Sequence, residues 1–164
     1  MLKHSELGST HEDAMWDVLY EAAHVADDPG GRDAMRSNRD LTRHIEGWGS
    51  RHGDVGILTE RNGRFVGAAW VRKLTGWERE LIEFVDDATP ELVISVLPGC
   101  EGQGVGTAMM AELLARASDQ FPQIMLTVRA DSAAVRLYER FGFTTHQRVT
   151  NRVGTESLVM LRPS

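Results

Sequence analysis

Residues 92–106 read LVISVLPGCEGQGVG, a nearly all-apolar run followed by a glycine-rich turn. The apolar part, residues 92–97, has the length of a strand and no polar face, which predicts a strand buried on both sides. The run ends at Pro98, where alternating glycines begin. Apolar residues then recur at helical spacing from Met110 to Ala117. The stretch therefore predicts a strand, a tight loop and a helix in succession.

The loop has the features of a phosphate-binding turn. Gly102, Gly104 and Gly106 let the backbone approach a ligand closely and adopt positive φ. A helix N-terminus leaves about four N–H groups unpaired and carries roughly half a positive charge, so the arrangement predicts a phosphate or pyrophosphate cradle. The alternative is that the glycines only turn the chain. The spacing G-x-G-x-G is not the dinucleotide pattern, and the Gly-Lys-Ser/Thr of a P-loop is absent, which weakens both nucleotide-binding interpretations.

The rest of the chain alternates between helical and strand periodicity. A capping pair, Thr10 and Asp13, opens a first helix, and Asn62-Gly63 is a strong hairpin signal between two strands. The pattern predicts an α/β fold with helices packed on a mixed sheet. The predicted elements, in order, are helices from Thr10 and over Leu41, Ile45 and Trp48, strands at 55–59, 65–71, 77–85 and 92–97, a helix after Gly106, a strand at 124–128, a helix at 131–141, and strands at 143–149 and 156–161.

Composition narrows the functional classes. The 164 residues suit one domain, and 41% hydrophobic with 26% charged residues is typical of a soluble globular protein. The formal net charge of −6, without a block of basic residues, argues against nucleic-acid binding. No apolar run approaches the roughly 18 residues that span a bilayer, and the polar N-terminus is not a targeting segment, so a cytoplasmic protein is expected. The lone Cys100 excludes an intramolecular disulfide framework.

Two segments together resemble the GNAT superfamily of N-acetyltransferases. The superfamily signature, Q/R-x-x-G-x-G/A, begins the helix after the fourth strand, and residues 101–106 match it with Glu101 in place of Gln or Arg. A shifted register, residues 103–108, satisfies the pattern literally but fits less well behind the strand. Residues 131–143 resemble the family's N-x-x-A-x-x-L-Y-x-x-x-G-F segment, with Asp131 in place of Asn. The resemblance covers most of the chain.

The resemblance implies a fold and an activity. The fold is a GNAT-like α/β (α+β) domain over residues 1–164, with a mixed, largely antiparallel sheet of six to seven strands, about four helices, and a splay between the fourth and fifth strands. The activity is acetyl transfer from acetyl-CoA to a primary amine of a small molecule or peptide, without a metal. A homodimer is possible, and no nucleic-acid or membrane partner is expected. The alternatives are a non-catalytic acyl-CoA-binding or sensing domain and a nucleotide-binding protein.

The resemblance also implies the cofactor-binding residues. In the family the pantetheine arm adds to the edge of the fourth strand, and a backbone N–H there, near Val96 or Leu97, polarises the thioester carbonyl. The pyrophosphate is bound by loop N–H groups, so an acidic residue at the first signature position need not abolish binding. The predicted residues are Ser95, Val96, Leu97, Glu101, Gly102, Gln103, Gly104, Val105, Gly106, Thr107 and Asp131.

Two residues are predicted to act in catalysis. Tyr138 occupies the place of the family's general acid, since a phenol of pKa ~10 keeps its proton at neutral pH. The alternative is a tyrosine that only packs on its helix stripe. Glu91 is near where some relatives place a base, and the alternative is a solvated charge at a strand end. The histidines lack metal-ligand spacing, and most are expected at the surface, while the four tryptophans are expected in the core.

Overall fold

The computed structural model describes residues 1–164, and every strand in it belongs to one sheet. The strands are β1 (Leu2–Glu6), β2 (Val55–Arg61), β3 (Arg64–Lys73), β4 (Pro90–Val96), β5 (Gln123–Arg129), β6 (Thr144–Thr150) and β7 (Glu156–Pro163). They lie in the order β1-β2-β3-β4-β5-β7-β6. The helices are α1 (Glu12–Ala22), α2 (Gly31–Met35), α3 (Arg39–Thr42), α4 (Val105–Ala117) and α5 (Ala134–Arg140).

The pairing of β4 with β5 differs from that of every other pair in the sheet. The other neighbours are antiparallel and paired along their length, whereas β4 and β5 are parallel and aligned only at Glu91 with Met125. Because β4 continues to Val96 and β5 to Arg129, the two strands diverge beyond this point. The predicted fold class and the predicted splay are confirmed.

Helices cover both faces of the sheet. The alternation along β4 shows why residues 92–97 are nearly all apolar, because Leu92 and Ile94 pack into the core that contains α4 and the tyrosine of α5. Val93 faces the opposite core, where it joins Trp70 of β3 and the buried residues of α1. The prediction of a strand buried on both faces is therefore confirmed, and β4 carries residues of both cores to the same edge.

One strand prediction is wrong, and one strand was missed. Residues 77–85 do not form a strand, because Gly76–Glu80 is a 3-10 helix that begins with a capping box between Thr75 and Glu78. The Glu78 carboxylate also accepts two hydrogen bonds of 2.7 Å from Arg51, which fixes the turn. β1 was not predicted at all. It is a sheet edge, paired only with β2 and partly exposed, so its sequence needs no continuous apolar face.

The helix boundaries also differ from the predicted ones. Residues Ser9–His11 form a 3-10 turn, and α1 begins only at Glu12. In place of one helix over residues 41–48 there is the end of one short helix, α3, followed by a run of turns, although all three predicted apolar residues there are buried. The helix predicted to begin at Asp131 begins at Ala134, whose N–H is accepted by the Ser132 hydroxyl at 3.1 Å. None of the helices has the length and apolar character needed to cross a membrane.

Candidate active site

The divergence of β4 and β5 opens a cavity of about 450 Å³. Its walls come from both faces of the sheet. Ile94 of β4 and Tyr138 of α5 belong to one core, Val93 belongs to the other, and all three line the cavity. The gap is thus a passage through the sheet that residues of both faces line.

The end of β4 presents free backbone to this gap. The Leu97 N–H donates to the Val66 carbonyl of β3 at 2.8 Å, so it is not available to a ligand. In an antiparallel pair alternate residues direct their amides to the same neighbour, so the Val96 N–H points away from β3 and toward the gap. Of the two predicted N–H donors, Val96 is the one that faces the cavity side. Ser95 lines the cavity.

The glycine-rich loop leads from this strand edge to the N-terminus of α4. Gly102 and Gly104 have φ of +73° and +79°, and a Cβ built at either would meet no atom within 4 Å. Gly104 immediately precedes α4, and the buried Val105 anchors the first turn. A Cβ at Gly106 would lie 3.6 Å from Leu137 of α5 and 3.8 Å from Val96, so this position packs between α5 and the end of β4. The open face and the helix amides fit the predicted pyrophosphate site.

The polar side chains of the loop are already engaged. Glu101 folds back, and its carboxylate accepts the Gly99 N–H at 2.8 Å. The Gln103 side-chain oxygen accepts a hydrogen bond from Arg61, at the end of β2, and a second nitrogen of Arg61 lies 3.4 Å from the Gln103 carbonyl. Thr107, in the first turn of α4, is exposed. The sequence analysis did not find Arg61, because 42 residues separate it from Gln103.

Tyr138 is brought to the other side of the gap. It is 8% exposed, it packs edge-on against Phe143 with ring centroids 6.1 Å apart, and it lines the cavity. Burial raises the pKa of its phenol to about 12. Its hydroxyl hydrogen-bonds no other residue, so at neutral pH it holds a proton that it can donate into the cavity. Asp131, by contrast, is exposed before α5, where Ser132 lines the cavity instead.

Glu91 is not a solvated strand-end charge, and that interpretation is wrong. It is 5% exposed and accepts a hydrogen bond of 2.6 Å from Arg43. The same guanidinium lies 4.0 Å from Glu83, and His44 Nδ1 lies 3.8 Å from Glu91 Oε1. We call Arg43, His44, Glu83 and Glu91 the charged cluster. All four line the cavity, on the face opposite α5.

Burial sets the protonation of this cluster. Most of the histidines were expected at the surface, and His44, whose side chain is 12% exposed, departs from that expectation. Burial, followed by the nearby Arg43 and Arg72 charges, holds the pKa of His44 well below its usual value. Burial and the Glu91 charge raise the pKa of Glu83. The cluster therefore combines a neutral imidazole with a carboxylate of increased basicity.

The rim of the cavity is held by two ion pairs. Arg129, at the end of β5, contacts Asp27 at 2.7 Å, and Arg152, in the turn before β7, contacts Asp28 at 2.8 Å. Both aspartates lie after α1, so the pairs fix that segment over the cavity. His24, at φ +53°, lines the same rim, and burial followed by Arg129 lowers its pKa. No group of three His, Cys, Asp or Glu side chains is placed to hold a metal ion.

The acetyltransferase (GNAT) family model matches residues 16–143 of this chain. A mycothiol acetyltransferase of Streptomyces griseus is 35% identical over 138 residues, which are 83% of this chain and 41% of that protein. A mycothiol acetyltransferase of Mycobacterium avium is 37% identical over 98 residues, 54% of this chain and 28% of that protein. The chain thus spans about two fifths or less of the curated relatives' length.

Solved structures share the fold. A GNAT-family acetyltransferase of Streptococcus pneumoniae superposes with a TM-score of 0.71 at 16% identity and covers 99% of both chains. A putative acetyltransferase of Salmonella typhimurium, solved with its cofactor acetyl-CoA, gives a TM-score of 0.66 at 16% identity over 99% of this chain and 93% of that chain. The family match, the two motifs and the splayed sheet agree. The chain belongs to the acetyltransferase (GNAT) family, as the resemblance of its two motifs predicted.

Proposed function

We propose that this chain transfers the acetyl group of acetyl-CoA directly to a primary amine of a small molecule or peptide, with both substrates bound at once. The observation that carries the proposal is the passage between β4 and β5. It places the Tyr138 hydroxyl on one side of the sheet and the charged cluster on the other, at the edge of one cavity. Two substrates that meet in this gap would react without a covalent enzyme intermediate, since proximity alone supplies several kcal/mol.

The thioester end is positioned by backbone. The open edge of β4 at Ile94 and Val96, whose backbone groups point away from β3, offers hydrogen bonds to an extended arm, as a sheet edge does to a peptide strand. The Val96 N–H, which faces the gap, would polarise the thioester carbonyl. Residues 101–107 would hold the pyrophosphate through the amides at the start of α4. Acetyl-CoA itself supplies the activated acyl group.

Tyr138 would act as the general acid. Its phenol keeps its proton at neutral pH, because burial raises the pKa to about 12. The free hydroxyl is directed into the gap, where negative charge grows on the departing sulfur. A proton delivered there typically accelerates such a step by about 10²–10⁴-fold. An acyl-CoA-binding domain without catalysis would have no use for this unpartnered hydroxyl.

The charged cluster would accept the proton of the attacking amine. An alkylammonium of pKa ~10.4 must lose a proton before it attacks. The predicted base Glu91 lies in the cavity but is hydrogen-bonded to Arg43. Glu83 lies beside the same guanidinium, and its raised pKa makes it the more ready acceptor. We therefore assign the base to the Glu83 and Glu91 carboxylates together, with Glu83 as the member that takes the proton.

Candidate acceptors follow from the chemistry of the cavity and from the relatives. The carboxylates of Asp40, Glu83 and Glu91 line the cavity and favour a substrate that arrives as an ammonium ion. Because the relatives are named mycothiol acetyltransferases, the unacetylated form of mycothiol is the first acceptor to test. Spermidine and peptides that begin with alanine are the next acceptors to test, since structural neighbours are named for these substrates.

The test is product formation with acetyl-CoA and a panel of these amines. Acetylated product is measured by mass spectrometry rather than by thiol release, because some acceptors carry a thiol of their own. We expect one amine class to be acetylated with saturation kinetics, and the Tyr138→Phe variant to be severely slowed on that amine. Tight coenzyme A binding without transfer to any amine would favour the acyl-CoA-binding alternative. Absence of coenzyme A binding would reject both.

A further inference from the structure

Arg61 is a cation without a counterion beside the glycine-rich loop. It is half-buried at the end of β2, and its polar contacts are both with Gln103. The two buried arginines have counterions. Arg43 contacts a carboxylate at 2.6 Å, and Arg72 contacts another at 3.1 Å. A guanidinium has five N–H donors, and the contacts with Gln103 leave most of them free. Its charge is therefore held in place but not neutralised.

The loop itself has the wrong charge for a phosphate ligand. Glu101 is the one charged side chain among residues 98–107, and it is negative. The first turn of α4 carries neither acidic nor basic side chains. The helix amides and half a positive charge must then offset both the ligand's charge and that of Glu101. A cation supplied from another element would correct this balance, and Arg61 is held against the loop by Gln103.

We propose that Arg61 is a phosphate-binding residue of this chain, which contacts the pyrophosphate of coenzyme A and offsets the charge of Glu101. The inference rests on the proposed function, because it assumes that residues 101–107 hold that pyrophosphate. Gln103 acts as a positioning residue, since its side-chain and backbone oxygens orient the guanidinium. Arginine suits this role because its planar donors match phosphate oxygens in pairs.

The competing explanation is that Arg61 only ties the β2–β3 hairpin to the loop. The two roles differ in their response to ligands that lack phosphate. A structural tie supports the loop for every ligand, whereas a phosphate contact matters only when phosphate is present. Pantetheine has neither the pyrophosphate nor the 3′-phosphate, and 3′-dephospho-coenzyme A keeps only the pyrophosphate. These two probes separate the explanations.

The experiment compares Arg61→Gln with the control Arg64→Gln. Arg64 lies opposite Arg61 in the same hairpin and is exposed. Dissociation constants for coenzyme A, 3′-dephospho-coenzyme A and pantetheine are measured by calorimetry on variants with wild-type melting temperatures. We expect Arg61→Gln to weaken both phosphate ligands by about 10-fold or more, from the loss of a charged hydrogen bond. Pantetheine binding should not change, and Arg64→Gln should match the wild type.

Each other outcome overturns the assignment. Equal weakening of all three ligands means that Arg61 is a structural tie. Weakening for coenzyme A but not for its dephospho form places Arg61 at the 3′-phosphate instead. If the wild type binds coenzyme A and Arg61→Gln binds it equally, only this inference fails. If the wild type does not bind coenzyme A, the proposed function fails with it.

Discussion

The glycine-rich loop and the charged cluster in the cavity between β4 and β5 are built by different means. At the loop, which does not line the cavity, the groups proposed to bind phosphate are backbone amides of one contiguous segment, residues 98–107, with glycines at positive φ and open space around them. In the cavity, the charged cluster brings together side chains that follow α3, precede β4 and lie within β4, and all are largely buried. Backbone recognition depends on local spacing, whereas side-chain recognition depends on the whole fold.

The two regions also differ in how much a substitution there changes the free energy of unfolding. A buried ion pair such as Arg43 with Glu91 is strongly destabilised when one partner is removed, because the other charge stays buried. A solvent-exposed loop carries no such penalty, and its substitutions act on ligand affinity or on backbone strain. We therefore expect changes at the Arg43–Glu91 pair to affect stability, changes at Glu83 to affect turnover, and changes at the loop to affect affinity or backbone strain.

The largest expected effect is on turnover at the centre of the passage. Tyr138→Phe keeps the ring and its contact with Phe143 but removes the proton. Turnover should fall by about 10²–10⁴-fold, while acetyl-CoA affinity changes little, since the proton matters only as sulfur departs. Melting temperature is measured beside kcat. A variant that melts normally and acetylates its best amine at the wild-type rate would remove Tyr138 from the mechanism.

The next effect tests the buried pair. Glu91→Gln leaves the Arg43 charge with only Glu83, 4.0 Å away, so the free energy of unfolding should fall by about 3 kcal/mol. Glu83→Gln is the matched control for stability. Because it removes a carboxylate whose pKa is raised by burial and by Glu91, the free energy of unfolding should change by less than about 1 kcal/mol.

Turnover then distinguishes the two carboxylates. With Glu83 as the proton acceptor, Glu83→Gln should slow acetylation by about 10²-fold or more at unchanged stability. Urea unfolding gives the stability change, and rates at saturating amine give the catalytic one. Stability equal to the wild type in Glu91→Gln would mean that the Arg43 pair is not maintained in solution.

The glycine-rich loop could be predicted from sequence, whereas Glu91 is the one member of the charged cluster that the sequence indicated. The signature around Gly104 is contiguous, so its spacing alone specified a strand, a turn and a helix start. Glu83 was hidden in a segment predicted as a strand, because Leu81, Phe84 and Val85 are apolar. They are apolar since they pack from a loop onto the small core around Met125. Nothing local in the sequence indicates that His44 is buried beside Glu91, 47 positions away.

At the loop, backbone strain should produce a smaller effect. Gly104→Ala places a side chain at φ +79°, which costs about 1–2 kcal/mol even though a Cβ there would contact nothing. Gly106→Ala is the control, because Gly106 has no positive φ and its Cβ would make ordinary contacts at 3.6 Å and 3.8 Å. Its stability should equal or exceed that of the wild type, because Gly106 lies within α4 and alanine is favoured over glycine in a helix. A stability loss confined to Gly106→Ala would contradict this account of the loop.

The buried histidine should make stability depend on pH. His44 has a folded pKa well below its ordinary 6.5, so below pH 6.5 the unfolded chain binds a proton that the folded chain does not. Stability should therefore fall on acidification, by about 1 kcal/mol between pH 7 and pH 5.5. Glu83, with its raised pKa, acts in the opposite direction. The pH dependence in His44→Gln should be flatter than in the wild type, and an unchanged slope would contradict the assignment.

The smallest expected effect is at Glu101, and it tests how far the loop relies on backbone. Glu101→Gln removes a negative charge beside the proposed phosphate site, which should tighten coenzyme A binding. The side chain also accepts the Gly99 N–H at 2.8 Å, a contact that the glutamine oxygen can keep. At an exposed, screened position we expect the affinity for coenzyme A to rise at most a few-fold, and more at low salt.

Glu101→Ala is the informative companion, because it removes the charge and the contact together. If Glu101→Gln binds more tightly and Glu101→Ala does not, the carboxylate opposes the ligand while its hydrogen bond orders the loop. Clearly weaker binding in Glu101→Gln would instead give the charge itself a positive role, and the loop could not then be described by its backbone alone.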